Sequence, residues 1–167
     1  MTLKELFTFK KKESVEKIAP HLEVGYRGEL LARLFLESEG YKIVASNFTL
    51  PVGRNLRGAI VNGEIDIVAY DGDTLCFIEV KTRTSDDFAA PSANVDNRKQ
   101  RQITRTAKAY RRMFGLLNHE YRYDVVGVVL GEIVQGKNPS PKIELLKNFW
   151  TDAKFRKRRW AHDEIAY

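Results

Sequence analysis

The sequence predicts an α/β sandwich with a mixed β-sheet. Two segments, residues 26–39 and 97–114, carry apolar residues at helical spacing, and strand-like runs lie between and after them. The expected order is therefore one helix, three strands, a second helix and two more strands. An order in which strands and helices share one short chain favours a layered α/β domain.

The first helix is expected at residues 26–39, because Gly40 is typical of the position that ends a helix. Its apolar stripe consists of Leu30, Leu31, Leu34 and Phe35. Residues 41–48 have strand character. One proline and two glycines interrupt residues 50–62, and we expect a mobile loop there.

The next two runs, residues 63–70 and 74–82, read as strands that carry charges in apolar surroundings. The Asp-Gly-Asp between them is a strong turn signal and predicts an antiparallel hairpin. Because side chains alternate along a strand, Glu79 and Lys81 share one face. The hairpin is expected to bring them together with Asp66 of the first run.

Two carboxylates and one ammonium group on rigid strands are typical of a divalent-metal site. Carboxylates a few ångströms apart repel each other, so that one takes up a proton unless a positive charge intervenes. Mg²⁺ or Mn²⁺ suits oxygen ligands and acidifies bound water, which then attacks phosphorus. Lys81 would orient that water or stabilise charge on the phosphate. The residues alone leave a second interpretation open, a salt-bridged pair of strands without catalysis.

The second helix, residues 97–114, has a divided surface. Its basic ridge consists of Arg98, Arg101, Arg105, Lys108 and Arg112. Its apolar face consists of Ile103, Ala107, Tyr110 and Phe114. Because no acid interrupts the basic ridge, we expect the ridge to bind phosphates. The alternative is that these residues only form a solvated face of the helix. Lys99 and Gln102 lie on the flank and are best placed to reach the carboxylates.

The last third of the chain predicts two more strands, at residues 125–130 and 142–146. The segment Lys154–Trp160 mixes cations with aromatic rings, and it either stacks on bases or docks as a helix.

Composition limits the class of protein. The 167 residues fit one domain, and the net charge of +6 favours a polyanionic partner. The single cysteine, Cys76, excludes an intrachain disulfide. No apolar run approaches the about 20 residues of a membrane helix, and the N-terminal residues lack a signal-peptide core. We expect a soluble cytoplasmic protein with no membrane contact.

Several motifs occur in a characteristic order. They are Gly25–Glu29, Gly40-Tyr41, Asn47, Gly63–Asp66, Phe77–Arg83, Lys99, Ala107–Tyr110 and Arg122–Val125. In this order they resemble the YraN-like family of small proteins predicted to be endonucleases. Asp66 with Glu79-Val80-Lys81 also resembles the PD-(D/E)XK nuclease signature, and the pattern is similar to that of archaeal Holliday junction resolvases.

The resemblance implies a restriction-endonuclease-like three-layer sandwich with a central mixed sheet flanked by helices. It implies that Asp66 and Glu79 bind Mg²⁺ or Mn²⁺, with the Val80 carbonyl as a third ligand. Lys81 would be the catalytic lysine and Glu29 an auxiliary acid. The residues expected to bind nucleic acid are Arg83, Arg98, Lys99, Arg101, Gln102, Arg105, Lys108 and Arg112.

The implied function is a metal-dependent endonuclease that hydrolyses DNA phosphodiesters, and branched, Holliday-junction-like DNA is a candidate substrate. The alternative is a catalytically inactive module that binds nucleic acid and keeps a nuclease-like fold. On this interpretation residues 1–22 form an N-terminal arm, residues 23–147 the nuclease-like domain and residues 148–167 a basic aromatic tail. Symmetric branched DNA suits a homodimer, an expectation that rests on analogy with resolvases.

Overall fold

A five-stranded mixed sheet forms the centre of the protein. A computed structural model describes residues 20–84, 95–131 and 140–155. The strands are β1 (Lys42–Arg54), β2 (Ile60–Asp71), β3 (Thr74–Arg83), β4 (Tyr121–Val129) and β5 (Lys142–Trp150). The helices are α1 (Pro20–Ser38), α2 (Asn97–Met113) and a short 3-10 helix (Asp152–Phe155). Within the described residues, this confirms the predicted order of elements and the mixed sheet.

The strands lie side by side in chain order, and the sheet is antiparallel except for the β3–β4 pair. A parallel pair needs a crossover connection, and α2 supplies it. Successive residues of a strand point to opposite faces, so the two helices bury different residues of β3. Cys76 and Ile78 belong to the core cluster of α1. Leu75 and Phe77 belong to the core cluster of α2.

Residues 50–62 form the turn end of the β-hairpin of β1 and β2, so the expected mobile loop is wrong. The pairing of β1 with β2 continues through these residues as far as Arg54 and Ile60. Asn55 holds the turn, because its Oδ1 accepts hydrogen bonds from the backbone N–H groups of Arg57 and Ala59. Asparagine commonly forms turns in this way. The proline and glycines that predict a loop instead mark a shift of register and a tight turn.

Several further element boundaries differ from the prediction, and one of them is the start of β4 at Tyr121 rather than at Val125. Helix α1 begins at Pro20 rather than at Tyr26, and proline is well suited to a first helical turn. Strand β5 continues to Trp150 rather than ending at Leu146. Trp150 is buried, and its ring stacks on Tyr123 with centroids 4.9 Å apart.

Parts of two expected segments lie outside the described residues: the arm up to residue 19 and the tail beyond 155. The limits of the arm, domain and tail therefore stay a prediction. Among the residues that are described, no helix combines the length and apolarity needed to cross a membrane.

Two glycines let the helices approach the sheet closely. A Cβ at Gly28 of α1 would overlap the Thr82 side chain of β3. A Cβ at Gly63 of β2 would overlap the Thr106 side chain of α2. The glycine at each contact therefore sets the distance between that helix and the sheet. Gly28 in this way also sets the position of Glu29, the next residue of α1.

Gly28→Ala is expected to destabilise the protein by about 1–3 kcal/mol, because the added methyl group overpacks the contact between α1 and β3. Gly25 lies on the same helix with no atom within 4 Å of an added Cβ. Gly25→Ala is the matched control and is expected to stabilise the helix by about 0.5–1 kcal/mol. Urea unfolding measures both, and equal midpoints for the two variants would contradict the close packing.

Candidate active site

The two predicted carboxylates lie side by side where β2 and β3 separate. The register pairs Ile67 with Ile78, so that the next residues, Asp66 and Glu79, face each other. Regular backbone pairing between the strands stops here. The N–H of Val80 donates instead to Oδ2 of Asp66, at 2.7 Å. The antiparallel hairpin predicted from the sequence therefore brings these acids together.

Glu79 is buried between two ammonium groups, with 1% of its side chain exposed. Nζ of Lys81 lies 2.7 Å from Oε1, which confirms that Glu79 and Lys81 share a face. Nζ of Lys99 on α2 lies 3.2 Å from Oε2. Despite that ion pair, Oε2 accepts no well-directed hydrogen bond from the described residues. Buried polar atoms normally have a partner, so this oxygen has unused capacity to accept.

The pKa values at this site reflect burial first and the closeness of the two acids second. Burial, and after it the neighbouring Glu79, raises the pKa of Asp66 to about 7. Burial lowers the pKa of Lys99, but Glu79 and Asp66 raise it by more, so its net shift is upward. Near neutral pH, Asp66 is therefore divided between its protonated and ionised forms. A carboxylate behaves in this way when it is buried beside a second carboxylate.

Lys99 reaches the acids because α2 begins beside them. The Asp96 side chain caps the helix by accepting a hydrogen bond from the backbone N–H of Lys99, at 2.7 Å. Gln102 was expected on the same flank, and its Nε2 donates to the backbone carbonyl of Asn62 at 3.4 Å. Of these two flank residues, Lys99 contacts the acidic pair and Gln102 contacts the neighbouring strand.

Glu29 lies on α1 and contacts β1. Its Oε2 accepts a hydrogen bond from Nδ2 of Asn47, at 3.0 Å. The β1–β2 register places Asn47 across from Asp66. Glu29, Asn47 and Asp66 line an open pocket of about 160 Å³. No three His, Cys, Asp or Glu side chains in the described ranges are grouped to hold one ion, so Glu29 does not join the two acids in a ligand set.

Val80 and Arg83 lie further along β3. In a strand, the N–H and C=O of one residue point to the same edge. The Val80 carbonyl therefore lies on the edge from which its N–H reaches Asp66. Arg83 ends the strand, and its backbone carbonyl accepts a hydrogen bond from the N–H of Leu130 at 2.9 Å.

The basic ridge of α2 is exposed along its length, as its five members all lie on the surface. Ile103, Ala107 and Tyr110 of the opposite face are buried, as expected. Phe114 is 53% exposed, contrary to the prediction, because it caps the helix beyond the buried stripe. The sequence did not predict that Arg111 is buried. Its guanidinium lies over the Tyr121 ring and donates hydrogen bonds to the backbone carbonyls of Leu116 and Leu117, which follow the helix.

The first residues of the tail pack against α2. Nζ of Lys154 donates to Oε1 of Gln100, and the Arg101 guanidinium lies 5.5 Å from the centre of the Phe155 ring. Nε1 of Trp150 donates to Oγ1 of Thr104. The described part of the tail is therefore docked on the helix, while the cations and tryptophan at 156–160 lie outside the description.

Comparisons with known proteins agree on one family. The profile of the uncharacterised protein family UPF0102 matches residues 28–128. A UPF0102 protein of Koribacter versatilis is 41% identical over 128 residues, which cover 77% of this chain and 79% of that protein. UPF0102 proteins of Desulfosudis oleivorans and Chlorobium chlorochromatii are 40% and 37% identical, over 75% and 78% of this chain and 88% and 93% of their own lengths. The chain therefore belongs to the uncharacterised protein family UPF0102, which confirms the YraN-like resemblance.

Proposed function

We propose that this protein is a Mg²⁺- or Mn²⁺-dependent endonuclease that hydrolyses DNA phosphodiesters and has a restriction-endonuclease-like fold. One observation carries the proposal: Asp66 and Glu79 face each other at a point where two strands separate, with Lys81 and Lys99 beside them. A carboxylate pair of this kind, next to cations that attract phosphate, matches the needs of phosphodiester hydrolysis.

The residues fit a divalent cation. Oε2 of Glu79 is buried without a hydrogen bond, although it is ion-paired with Lys99. Burial, and after it repulsion from Glu79, raises the pKa of Asp66, and a bound dication would offset both effects. Asp66 and Glu79 would hold the ion, with the Val80 carbonyl on the same strand edge. Two carboxylates suffice for Mg²⁺, whose shell is commonly completed by water and phosphate oxygens. When bound, the ion would acidify water and neutralise charge on the phosphate.

The lysines have separate roles in this proposal. Both ammonium groups contact Glu79 and remain open to solvent, since the Lys81 side chain is 30% exposed and that of Lys99 is 27% exposed. Lys81 would hold the attacking water in place and stabilise negative charge on the phosphate. Lys99 would balance part of the charge of Glu79 through their ion pair and attract the DNA backbone from the side of α2.

A cleavage assay tests the proposal. Purified protein is incubated with duplex, flap and four-way-junction DNA in Mg²⁺, in Mn²⁺ and in EDTA. We expect metal-dependent cleavage of at least one substrate, with branched DNA cut faster than duplex. Failure to cut any of them in either metal would contradict the proposal.

A second candidate function is a nucleic-acid-binding module without catalysis. The observation that favours it is the basic ridge, which offers five exposed cations whether or not the acids bind a metal. This function predicts DNA binding that depends strongly on salt and is unchanged by substitutions of Glu79. Cleavage that requires Glu79 distinguishes the two functions.

Arg105→Ala combined with Lys108→Ala is expected to weaken DNA binding and to reduce the slope of log K against log salt by about 1.8, because each phosphate contact contributes about 0.9. The matched control is Lys42→Ala with Lys147→Ala. Lys42 and Lys147 are exposed and lie beside Tyr70 and Asp71, at the end of β2 away from the two acids. Fluorescence anisotropy at several salt concentrations measures the slopes. An equal loss of DNA affinity in both double variants would contradict the assignment of the basic ridge as the binding surface.

A further inference from the structure

We propose that the pocket between α1 and β1 receives one unpaired nucleobase of the DNA strand that is cut. The inference rests on the proposed nuclease function and narrows its substrate class. The pocket is lined by Tyr26, Glu29, Leu30, Arg33, Ser46, Asn47, Asp66 and Ile67. Because Asp66 belongs to this lining and also faces Glu79, a base held in the pocket lies next to the proposed site of cleavage.

The charges of the lining favour a base over a phosphate. Glu29 and Asp66 carry carboxyl groups and Arg33 carries a positive charge, so the pocket has no excess of positive charge when both carboxyl groups are ionised. A phosphate group would be repelled by the two carboxylates. A neutral heterocycle offers both donors and acceptors along its edge, and the pocket offers both in return through Arg33, Asn47 and Glu29.

The pocket also supplies a stacking surface. The side chain of Tyr26 lines it and is 70% exposed, and Leu30 and Ile67 add apolar contacts. Aromatic side chains in this position are the common platform for bases of single-stranded nucleic acid, since every base has a π-face.

The size of the pocket limits it to a single base. Its volume is about 160 Å³, and a cavity of about 150 Å³ holds one benzene molecule. One pyrimidine-sized ring is therefore accommodated, whereas a base pair is not.

Asn47, which lines the pocket, has an unusual backbone conformation. Its φ of 52° is left-handed, which is uncommon for a residue other than glycine and costs free energy. This conformation lies in the middle of β1, where the Asn47 amide bonds to Glu29 on α1. The strain and the hydrogen bond together fix a polar group at the pocket wall, across the strand pair from Asp66.

The preferred substrate is therefore DNA with an unpaired nucleotide beside the phosphate that is cut, as at a bulge, a flap or a junction. Intact duplex would have to release a base from its stack, which is unfavourable. Duplex is bound through its backbone without filling the pocket.

The test compares binding of a duplex that contains one bulged thymine with binding of the fully paired duplex, by fluorescence anisotropy in EDTA. Wild-type protein is expected to bind the bulged DNA about tenfold more tightly. Tyr26→Ala should reduce this preference to less than about threefold without weakening duplex binding, and Tyr26→Phe should retain it. Leu34→Ala is the control, because Leu34 is an exposed residue of α1 that does not line the pocket.

Equal affinity of the wild-type protein for both DNAs, or a preference that persists in Tyr26→Ala, would overturn the inference. Since EDTA prevents metal-dependent cleavage, the result is independent of catalysis. A preference lost in Tyr26→Ala supports the pocket even if the protein cuts no DNA. If the wild-type protein cuts DNA but binds bulged and paired DNA equally, the proposed role of the pocket is contradicted and the nuclease proposal is unaffected.

Discussion

Glu79→Gln is expected to reduce metal-dependent cleavage by at least about 100-fold. The neutral amide removes one of the two charged ligands, and the loss of several kcal/mol of charge stabilisation corresponds to at least two orders of magnitude in rate. The change preserves the size of the side chain, and Lys81 and Lys99 are exposed enough to turn toward solvent. Initial rates of cleavage in Mg²⁺ measure the effect.

Glu64→Gln is the matched control for this variant. Glu64 is an exposed acid on β2, two residues before Asp66, and it is not part of the acidic pair. We expect its rate to stay within about twofold of wild type, in line with a change at an exposed site. If Glu79→Gln cuts DNA at the wild-type rate, or if both variants lose activity equally, the acidic pair is not the catalytic centre.

Asp66→Asn is expected to abolish cleavage and at the same time to stabilise the metal-free protein above pH 7. The pKa of Asp66 is raised from 3.8 to about 7, first by burial and then by Glu79. Ionisation of this group in the folded state therefore costs stability. The asparagine carbonyl can still accept the N–H of Val80, which now bonds to Asp66. We expect a gain on the order of 2 kcal/mol at pH 8.

The pH dependence fixes the sign of this effect. Between about pH 4 and pH 7 the folded protein holds a proton on Asp66 that the unfolded chain has released. The free energy of unfolding contributed by this group therefore falls as the pH rises through that window. Urea unfolding in EDTA from pH 5 to pH 8 should show wild type losing stability relative to Asp66→Asn. A difference that stays constant with pH would contradict the raised pKa.

The acidic hairpin was predictable from the sequence because local signals specify it. Charges within apolar strands, a tight turn and the period of two along a strand place Glu79 and Lys81 on one face. The turn fixes the register, and the register brings Asp66 opposite Glu79. The two helices were also predictable, since apolar residues repeat in them with the helical period. The apolar stripe predicted for α1 was wrong in part, because Leu30 and Leu34 are exposed, whereas Ala32 and Leu36 are buried.

The remaining features depend on contacts that no local pattern records. Asn47 lies across from Asp66 only because β1 extends beside β2 in a particular register, and its left-handed backbone has no sequence signal beyond the tolerance of asparagine for it. The continuation of β1 and β2 into a long hairpin was missed because Pro51 and the glycines read as breakers. Lys99 was recognised as a flank residue, but its contact with Glu79 depends on where α2 begins.

The central claim is that Asp66 and Glu79 together bind a divalent cation. The most direct measurement is the anomalous diffraction of crystals soaked in Mn²⁺, with Glu79→Gln crystals soaked in parallel. We predict one strong peak in contact with an oxygen of each acid in the wild-type protein and a lost or much weaker peak in the variant. The absence of any peak between the two acids, with Lys81 and Lys99 still paired to Glu79, would contradict the claim.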